Sequence, residues 1–298
     1  MHDRDRPAMH MQMTETPSLD GLSGGVAGPP AWDVPAFAVT FSAPRRHASC
    51  VVIPVLNEGL RILRLLKRMA ALSIAESADV VIVDGGSRDG SLDPETLRGL
   101  GVHTLLVKTG PGKLSAQLRC AYAFVLRSGY EAVVTIDGND KDDPAAIPRF
   151  IEILAGGVDF AQASRFLPGG VSENTPLARD LAIRWLHAPL LAASSGFPWT
   201  DTTQGFRGYS RRLLVDPRLA IFRTVFDAYE LLAFLSHLAP RLGFRCVEIP
   251  SSRRYPQDEV PTKISGVRGN VLVLRTLFNA CLGRYDPTEP ERRRAAGA

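Results

Sequence analysis

The segment VVTIDGNDKDDP places several carboxylates directly after an apolar run. The run at 133–136 leads into Asp137, and Asp140, Asp142 and Asp143 follow it. Carboxylate oxygens suit a hard divalent cation that also carries a phosphate-bearing substrate. The alternative is a solvated turn, because an Asp before a Pro commonly starts a helix. We expect the first role for Asp137, and mainly the second for Asp142 and Asp143.

Two more polar segments follow apolar runs. Glu58 comes after VVIPVLN, and Asp84 ends VVIVD. Carboxylates accept hydrogen bonds from ribose hydroxyls and from the ring N–H of uracil or guanine, and glycines such as those of DGGSRDGS let the backbone approach a ligand closely. The alternatives are a plain turn and, for Glu58, a favourable place at a helix N-terminus. The segment lacks G-x-G-x-x-G, so a Rossmann dinucleotide site is not expected.

The elements that must position these residues alternate along the first half of the chain. CVVIPVL, VVIV, VHTLLV and AVVTI are continuous apolar runs, typical of strands buried on both faces. Segments with helical spacing lie between them. This alternation predicts an α/β fold with a mostly parallel central sheet flanked by helices. Because such sheets bind ligands at the carboxyl ends of their strands, the polar residues at 57–58, 84–89 and 137–143 should gather at one edge.

The second half is less regular. VDFAQASRF and RCVEIPSSRRY read as strands, the latter at a sheet edge, and DTTQGFRGYSRRLL reads as a loop leading to a turn. A helix over 176–195 should be kinked at Pro189. We predict a single globular domain over 47–265 and a C-terminal helix over 266–285. The aperiodic segments at 1–46 and 286–298 are predicted to be a disordered arm and tail.

Composition excludes several classes of protein. The formal net charge of +4 on 298 residues is too mild for a nucleic-acid-binding protein, and no Lys/Arg-rich run with aromatics occurs. The four cysteines are far apart, without zinc spacing, which favours reduced thiols in the cytoplasm. The chain shows neither a signal peptide nor an apolar run of membrane-spanning length. We therefore expect a cytoplasmic protein, with peripheral contact at the inner membrane face left open.

The segments VIPVLNEG, VIVDGGSRDGS and TIDGND together resemble the family 2 glycosyltransferases, which have the GT-A fold. That family pattern runs P-x-x-N-E, D-D-G-S-x-D and D-x-D, in this order. The resemblance extends to about residue 265 and is closest to the polyprenyl-phosphate branch, such as dolichyl-phosphate mannose synthases. It is carried there by ASRFLPGG, DTTQGFR and RRYPQDEVPTKIS.

The resemblance implies roles for the residues at the sheet edge. It implies nucleotide-sugar binding by Pro54, Asn57, Glu58, Asp84, Gly86, Ser87, Asp89, Lys113, Asp137, Gly138 and Asn139. Mg²⁺ or Mn²⁺ would be held by Asp137 and Asn139 against the donor diphosphate. Asn139 replaces the usual second Asp and brings no charge, which neighbouring Asp140 could supply. Lys141, where the branch often has Gln, could contact phosphate or take over part of the metal's role.

The resemblance also implies which basic residues bind the acceptor. Arg165, Arg179, Arg254 and Lys263 match, or lie near, the family's acceptor-phosphate positions, and guanidinium groups suit phosphate geometry. Asp201, in a motif where Gln204 replaces Ser, is a candidate catalytic base or orienting group, and Arg165 is the second catalytic candidate.

The resemblance thus implies a metal-dependent, inverting transfer of a sugar from a UDP- or GDP-linked donor. The first acceptor to consider is a polyprenyl phosphate at the membrane surface, with its tail along the C-terminal helix. A soluble hydroxyl acceptor, either a small-molecule natural product or a polysaccharide, is the alternative. A binding protein that holds nucleotide-sugars without turnover is a third hypothesis, motivated by Asn139. The oligomeric state stays open.

Overall fold

The computed structural model describes residues 32–256 and 266–297, and Lys263 lies outside them. Its main sheet has eight strands in the order β1-β4-β3-β2-β5-β8-β6-β9. These strands are β1 Phe37–Ser42, β2 Ser49–Val55, β3 Asp79–Asp84, β4 Val102–Lys108, β5 Ala132–Thr135, β6 Phe160–Ser164, β8 Arg207–Ser210 and β9 Cys246–Pro250. A second, parallel pair is formed by β7 Val171–Glu173 and β10 Ser252–Arg254. The predicted mostly parallel α/β sheet is confirmed.

Helices flank this sheet. They are α1 Leu60–Ala71, α2 Pro94–Gly99, α3 Leu114–Arg127, α4 Ile147–Ala155, α5 Leu177–Ala182, α6 Ala188–Ser195, α7 Arg211–Leu214, α8 Glu230–Arg241, α9 Gly266–Cys281 and α10 Glu289–Ala296. A π turn, Ile183–His187, joins α5 to α6. It lies just before Pro189, whose missing N–H and bulky ring disturb the preceding turn, where we predicted a kink. Helix α9 packs on α8 and α6.

The core lies on both sides of the sheet because the central strands are apolar on both faces. On β2, Cys50 and Val52 face one apolar cluster, and Val51, Ile53 and Val55 face the other. Every residue of β2 and β3 is buried. Within the described part of the chain, no helix has both the length and the apolar character needed to cross a bilayer.

Both predicted disordered segments are wrong where the structure describes them. Residues 37–42 form β1, which pairs antiparallel with β4 and directs Phe37 and Val39 into the core. At the other end, Thr288 and Glu291 form a capping box that starts α10. Strand β1 is stabilised by its distant partner β4, which a local pattern does not show, whereas the capping box of α10 is a local pattern that sequence reasoning missed.

The predicted loop at 207–210 is also wrong, since it forms β8, antiparallel between β5 and β6. Because the segment RGYS has no apolar run, its pattern does not predict a strand. Arg207 is nevertheless buried, because its guanidinium donates to the backbone carbonyls of Thr202 and Leu232. Gly208 is needed for packing, since an added Cβ would lie 2.9 Å from a ring carbon of Phe150.

Candidate active site

The polar segments predicted to meet at one sheet edge do so. Strands β3, β2 and β5 are adjacent and parallel, with Val55 opposite Asp84. The chain that leaves β5 stays beside β2, where the Gly138 N–H donates to the Pro54 carbonyl at 3.3 Å. Asp84, the 57–58 segment and Asp137 therefore share the carboxyl edge, where ligands of such sheets bind.

The loops after β2 and β3 are tied together by the residues expected to bind nucleotide. Asp84 accepts the Ser87 hydroxyl at 2.7 Å and the Ser87 N–H at 2.8 Å. Asn57, in the left-handed region with φ 48°, accepts the Arg88 N–H at 2.8 Å. Asp89 accepts the Gly59 N–H at 2.7 Å. These side chains shape the edge by bonding to its backbone.

Other predicted nucleotide residues lie around the same loops. Glu58 is buried and accepts the Arg61 Nε–H at 2.9 Å. Gly86 has φ 98° and no atom within 4 Å of where a Cβ would be, so its backbone is open to a ligand. Lys113 is exposed and precedes the first turn of α3. The sequence alone did not single out Gln117, which donates to the ends of two strands, at Val55 O (2.9 Å) and Val83 O (2.5 Å).

The carboxylate of Asp137 lies close to the backbone of Gly205. Its side chain is 23% exposed, and its Oδ2 is 3.6 Å from Nη2 of Arg253. A Cβ added to Gly205 would lie 2.2 Å from Oδ1 of Asp137, so only glycine leaves room for the carboxylate. The position of Asp137 therefore depends on Gly205, a residue that sequence reasoning missed.

The predicted metal ligands do not come together. Asn139 Oδ1 accepts the backbone N–H of Lys141 at 3.2 Å. Asp140 turns to α1, where it pairs with Arg64 at 3.3 Å and Arg68 at 3.0 Å, so we do not retain it as a ligand. Among the residues described, no three His, Cys, Asp or Glu side chains group as a metal site. Mg²⁺ is usually held by one or two carboxylates together with water and substrate phosphates, so Asp137 could hold a divalent cation only with the donor diphosphate completing its shell.

The next two carboxylates of this segment, Asp142 and Asp143, have different surroundings. Asp143 caps the next helical turn, accepting the Ala145 N–H at 3.2 Å, as predicted. The prediction that Asp142 is solvated is wrong. It is 1% exposed and pairs with Arg253 at 2.5 Å, although burial raises its pKa. Its partner lies 111 residues away in the chain, too far for the local pattern to reveal.

A group of basic side chains surrounds Tyr255 beside Asp137; Lys141, Arg179, Arg253 and Tyr255 are called the basic cluster below. Lys141 is 3% exposed with its Nζ 4.6 Å from the ring centre, and burial, followed by Arg253, lowers its pKa to about 8. Arg179 donates to the Tyr255 hydroxyl at 3.1 Å. Burial raises the pKa of Tyr255, but Arg253 and Arg179 outweigh it and bring the pKa to about 8.

Arg253, and not Arg254, is the basic residue of β10 that faces the site. Successive strand residues point to opposite faces. The Arg253 side chain is 6% exposed and faces Asp137, whereas that of Arg254 is 70% exposed and pairs with Glu173 at 2.8 Å. Arg253, not the predicted Arg254, therefore lies beside Asp137, and the predicted acceptor-phosphate role of Arg179 stays a prediction.

Asp201 and Arg165, the predicted catalytic residues, bind each other. Their side chains are 0% and 1% exposed, and Nε of Arg165 lies 2.7 Å from Oδ2 of Asp201. Asp201 also accepts Gln204 Nε2–H at 2.6 Å. The loop before it is held by Glu248, which accepts the N–H groups of Thr200 and Asp201. This geometry favours a structural role for Asp201, and its role as a catalytic base or orienting group stays a prediction.

Comparisons with known proteins agree with this architecture. The model of the family described as Glycosyl transferase family 2 matches residues 50–216. An undecaprenyl-phosphate mannosyltransferase of Micrococcus luteus is 30% identical over 202 residues, covering 67% of this chain and 80% of the relative. A polyprenol monophosphomannose synthase of Mycolicibacterium smegmatis is 26% identical over 209 residues, covering 67% and 75%.

The solved structure of glucosyl-3-phosphoglycerate synthase from Mycobacterium tuberculosis with Mn²⁺, UDP and phosphoglyceric acid has a TM-score of 0.56. It is 19% identical and covers 82% of this chain and 80% of its own, which establishes the shared GT-A fold alone. The sheet, its polar carboxyl edge and the match over more than half of the sequence lead to one conclusion: the chain belongs to glycosyl transferase family 2 and is a glycosyltransferase.

Proposed function

We propose that the protein transfers a sugar from a nucleoside-diphosphate sugar, UDP- or GDP-linked, to a polyprenyl phosphate. The observation that carries this proposal is the group of basic side chains around Tyr255 beside Asp137. Arg179, Arg253 and Lys141 face the Tyr255 ring, and the carboxylates near them among the described residues are Asp137 and Asp142.

Buried positive charge is costly unless an anion compensates it. Two guanidinium nitrogens near the site, Nε of Arg253 and Nη1 of Arg165, are buried and have no hydrogen-bond partner among the described residues. A phosphate group would supply both the charge and the acceptor oxygens. The cluster therefore favours a phosphate-bearing acceptor over a neutral hydroxyl, and the names of two relatives specify undecaprenyl phosphate and polyprenol phosphate chemistry.

The reaction is then a single displacement. An acceptor phosphate oxygen attacks the anomeric carbon, the bond from that carbon to the donor diphosphate breaks, and the nucleoside diphosphate leaves with the electron pair. Such a displacement inverts the anomeric centre. The acceptor phosphate is already ionised at neutral pH and needs no general base, which agrees with the engagement of Asp201 by Arg165 and Gln204. Catalysis then consists of positioning and charge compensation.

An exposed apolar stripe runs from α5, which carries Arg179, into the π turn that follows it. Leu177, Leu181 and Trp185 recur every fourth residue and are 73%, 47% and 78% exposed. Arg179 on the same helix bonds to Tyr255, so one side of the helix reaches the phosphate site and another presents the stripe. A polyprenyl phosphate needs this arrangement, with its headgroup in a basic site and its chain in lipid. We therefore place the membrane contact here as well as on α9, where Val271 and Phe278 are exposed, as is Leu282 directly after it.

The function is tested with UDP- and GDP-sugars and undecaprenyl phosphate in vesicles, following the glycolipid product. Arg179→Gln should raise the KM for the acceptor about 10-fold or more, since a charged hydrogen bond to phosphate is lost. Arg254→Gln is the matched control, because that side chain is exposed on the rim and paired with Glu173, and its KM should change less than about 2-fold. Transfer to soluble hydroxyl acceptors but never to the lipid phosphate would contradict the proposal.

Replacing the stripe by Leu177→Ser, Leu181→Ser and Trp185→Ser together should weaken vesicle binding about 10-fold or more. Activity with a short, water-soluble prenyl phosphate should stay near that of the wild type, because none of the three side chains reaches the basic cluster. Vesicle flotation and the two activities measure this. Equal losses on both acceptors would show that the stripe supports the fold and does not contact lipid.

A further inference from the structure

We infer that two segments position Lys113 against the donor nucleotide: residues 32–36, called the strap below, and residues 227–228, called the bend. Both lie outside residues 50–216, the part of the chain that matches the family model. The inference rests on the proposed function and deepens it for the donor half of the site. Lys113 is the group that contacts the nucleotide, and the strap and the bend act through it as positioning elements.

The first turn of α3 places Lys113 beside the carboxyl edge of the sheet. Gln117 donates to carbonyls at the ends of β2 and β3, at 2.9 and 2.5 Å. A Cβ on Gly85 would lie 3.3 Å from Oε1 of Gln117, so this turn contacts the backbone next to Gly86. Lys113 is the exposed N-cap residue of the same helix, about 6 Å along its axis from Gln117. Its long side chain can therefore reach the edge where the nucleotide is proposed to bind.

A lysine at this position does not serve the helix itself. Ser, Thr, Asp or Asn normally caps a first turn, and the helix dipole disfavours a cation there. The side chain of Lys113 makes no capping bond. The bend caps the helix instead, since its two backbone carbonyls accept the N–H groups of Lys113 and Ser115, each at 2.8 Å. The charge of Lys113 is accounted for if its ligand is an anion, and a nucleoside diphosphate is one.

The bend also fixes the main chain just before Lys113. Gly112 has φ 95°, and a Cβ there would lie 2.4 Å from Oδ1 of Asp227, so only glycine fits between the two segments. On the following turn, the N–H of Leu231 donates to the Ser115 hydroxyl at 3.2 Å. The start of α3 is thus held in place by the segment that contains the bend.

The strap holds the other end of the loop that leads to Lys113. The Ala36 carbonyl accepts two successive N–H groups of this loop, the second from Gly110, at 2.9 and 2.8 Å. A Cβ on Gly110 would lie 2.7 Å from the backbone nitrogen of Ala36, so the loop and the strap are in direct contact. The strap is also bound to α3, because Arg119 donates to the Asp33 carbonyl.

One segment supports both the strap and the bend. The Trp32 ring stacks on the Phe222 ring with the centres 3.9 Å apart, and the Asp33 N–H donates to the Phe222 carbonyl at 3.0 Å. The bend begins five residues after Phe222. Arg223 ties this segment to α10, since it pairs with Glu291 at 3.3 Å. A change at Trp32 should therefore be felt at the start of α3.

The test compares the affinity for the donor nucleotide with that for the acceptor. Calorimetry on the full chain with Mn²⁺ measures the Kd of UDP and of GDP, and the vesicle assay measures the KM for undecaprenyl phosphate. Gly110→Ala should weaken binding of the preferred nucleotide about 10-fold, because the new methyl group pushes the loop away from the strap. The backbone at Gly110 is outside the left-handed region, so alanine itself is not strained there. The KM for the acceptor should change less than about 2-fold.

Two further variants accompany Gly110→Ala. Trp32→Ala removes the stacking at the far end of the strap and should weaken nucleotide binding about 3-fold or more, again without a change in the acceptor KM. Gly99→Ala, with no atom within 4 Å of its Cβ position, is the matched control and should leave both values unchanged. If Gly110→Ala does not fold, Trp32→Ala takes its place in every measurement.

A double-mutant cycle shows whether the strap acts through Lys113. Lys113→Gln alone should weaken nucleotide binding about 10-fold. Adding Gly110→Ala to it should cost less than about 2-fold more, because the charge that the strap positions is then absent. Additive losses, or equal losses on nucleotide and acceptor, would mean that the strap only supports the fold, and the inference would be overturned while the proposed function stands. Wild-type nucleotide affinity in the strap variant or in Lys113→Gln overturns it as well. If neither UDP nor GDP binds to the wild-type protein, the proposed function itself fails.

Discussion

Replacing Asp201 with alanine should lower the free energy of unfolding by about 3–5 kcal/mol, the usual cost of breaking a buried ion pair from one side. The partner, Arg165, would keep its charge in an interior where its side chain is only 1% exposed. The amide of Gln204, now 2.6 Å from Asp201, would lose its acceptor as well. Urea denaturation measures the change.

Asp180→Ala is the matched control, since it removes an Asp from an ion pair with an arginine at the surface. Arg184 in that pair is 49% exposed, and surface pairs contribute at most about 1 kcal/mol. An Asp201→Ala protein with wild-type stability and no turnover would contradict the structural assignment and return Asp201 to the role of general base.

Gly205→Ala should reduce turnover about 100-fold while changing stability little. The new methyl group would meet the Asp137 carboxylate, with Oδ1 at 2.2 Å and Cγ at 2.8 Å, and the carboxylate must move by about 1 Å. Misplacement of this size at a reacting centre costs about two orders of magnitude. The backbone at Gly205 is outside the left-handed region, so alanine itself is not strained there.

Gly99→Ala serves as the control, because no atom lies within 4 Å of where its Cβ would be. Its steady-state rates and melting temperature should match those of the wild type. A Gly205→Ala enzyme with wild-type turnover would show that the reaction tolerates displacement of Asp137, and the central place given to that carboxylate would have to be abandoned.

The sheet and its active edge could be predicted because their signals are local. Apolar runs such as CVVIPVL require burial on both faces, and the parallel alternation then sends the following polar residues to one edge. Asp137 follows from this argument without any knowledge of its partners. The same reasoning fails for Asp142, whose burial depends on an arginine 111 residues later.

The remaining errors have the same physical origin. β8 was missed because Arg207 is buried through carbonyls that only the folded chain supplies. Arg254 was predicted instead of Arg253 because matching a motif by residue type can be off by one position. In a strand, a shift of one residue moves the side chain to the opposite face of the sheet. Strand β1 becomes visible only when its partner β4 is known, whereas α10 begins with a local capping-box signal, Thr288 and Glu291, that was overlooked.

Strand β1 also protects the protein from association through the edge of its sheet. It occupies the flank of β4, whose unpaired N–H and C=O groups would otherwise be a template for another chain. The irregular register between Val39 and Phe41 adds a bulge to this outer strand, which makes it a poor template in turn. A chain shortened to residue 47, where the regular pattern begins, would lose this cover and become prone to edge-to-edge aggregation.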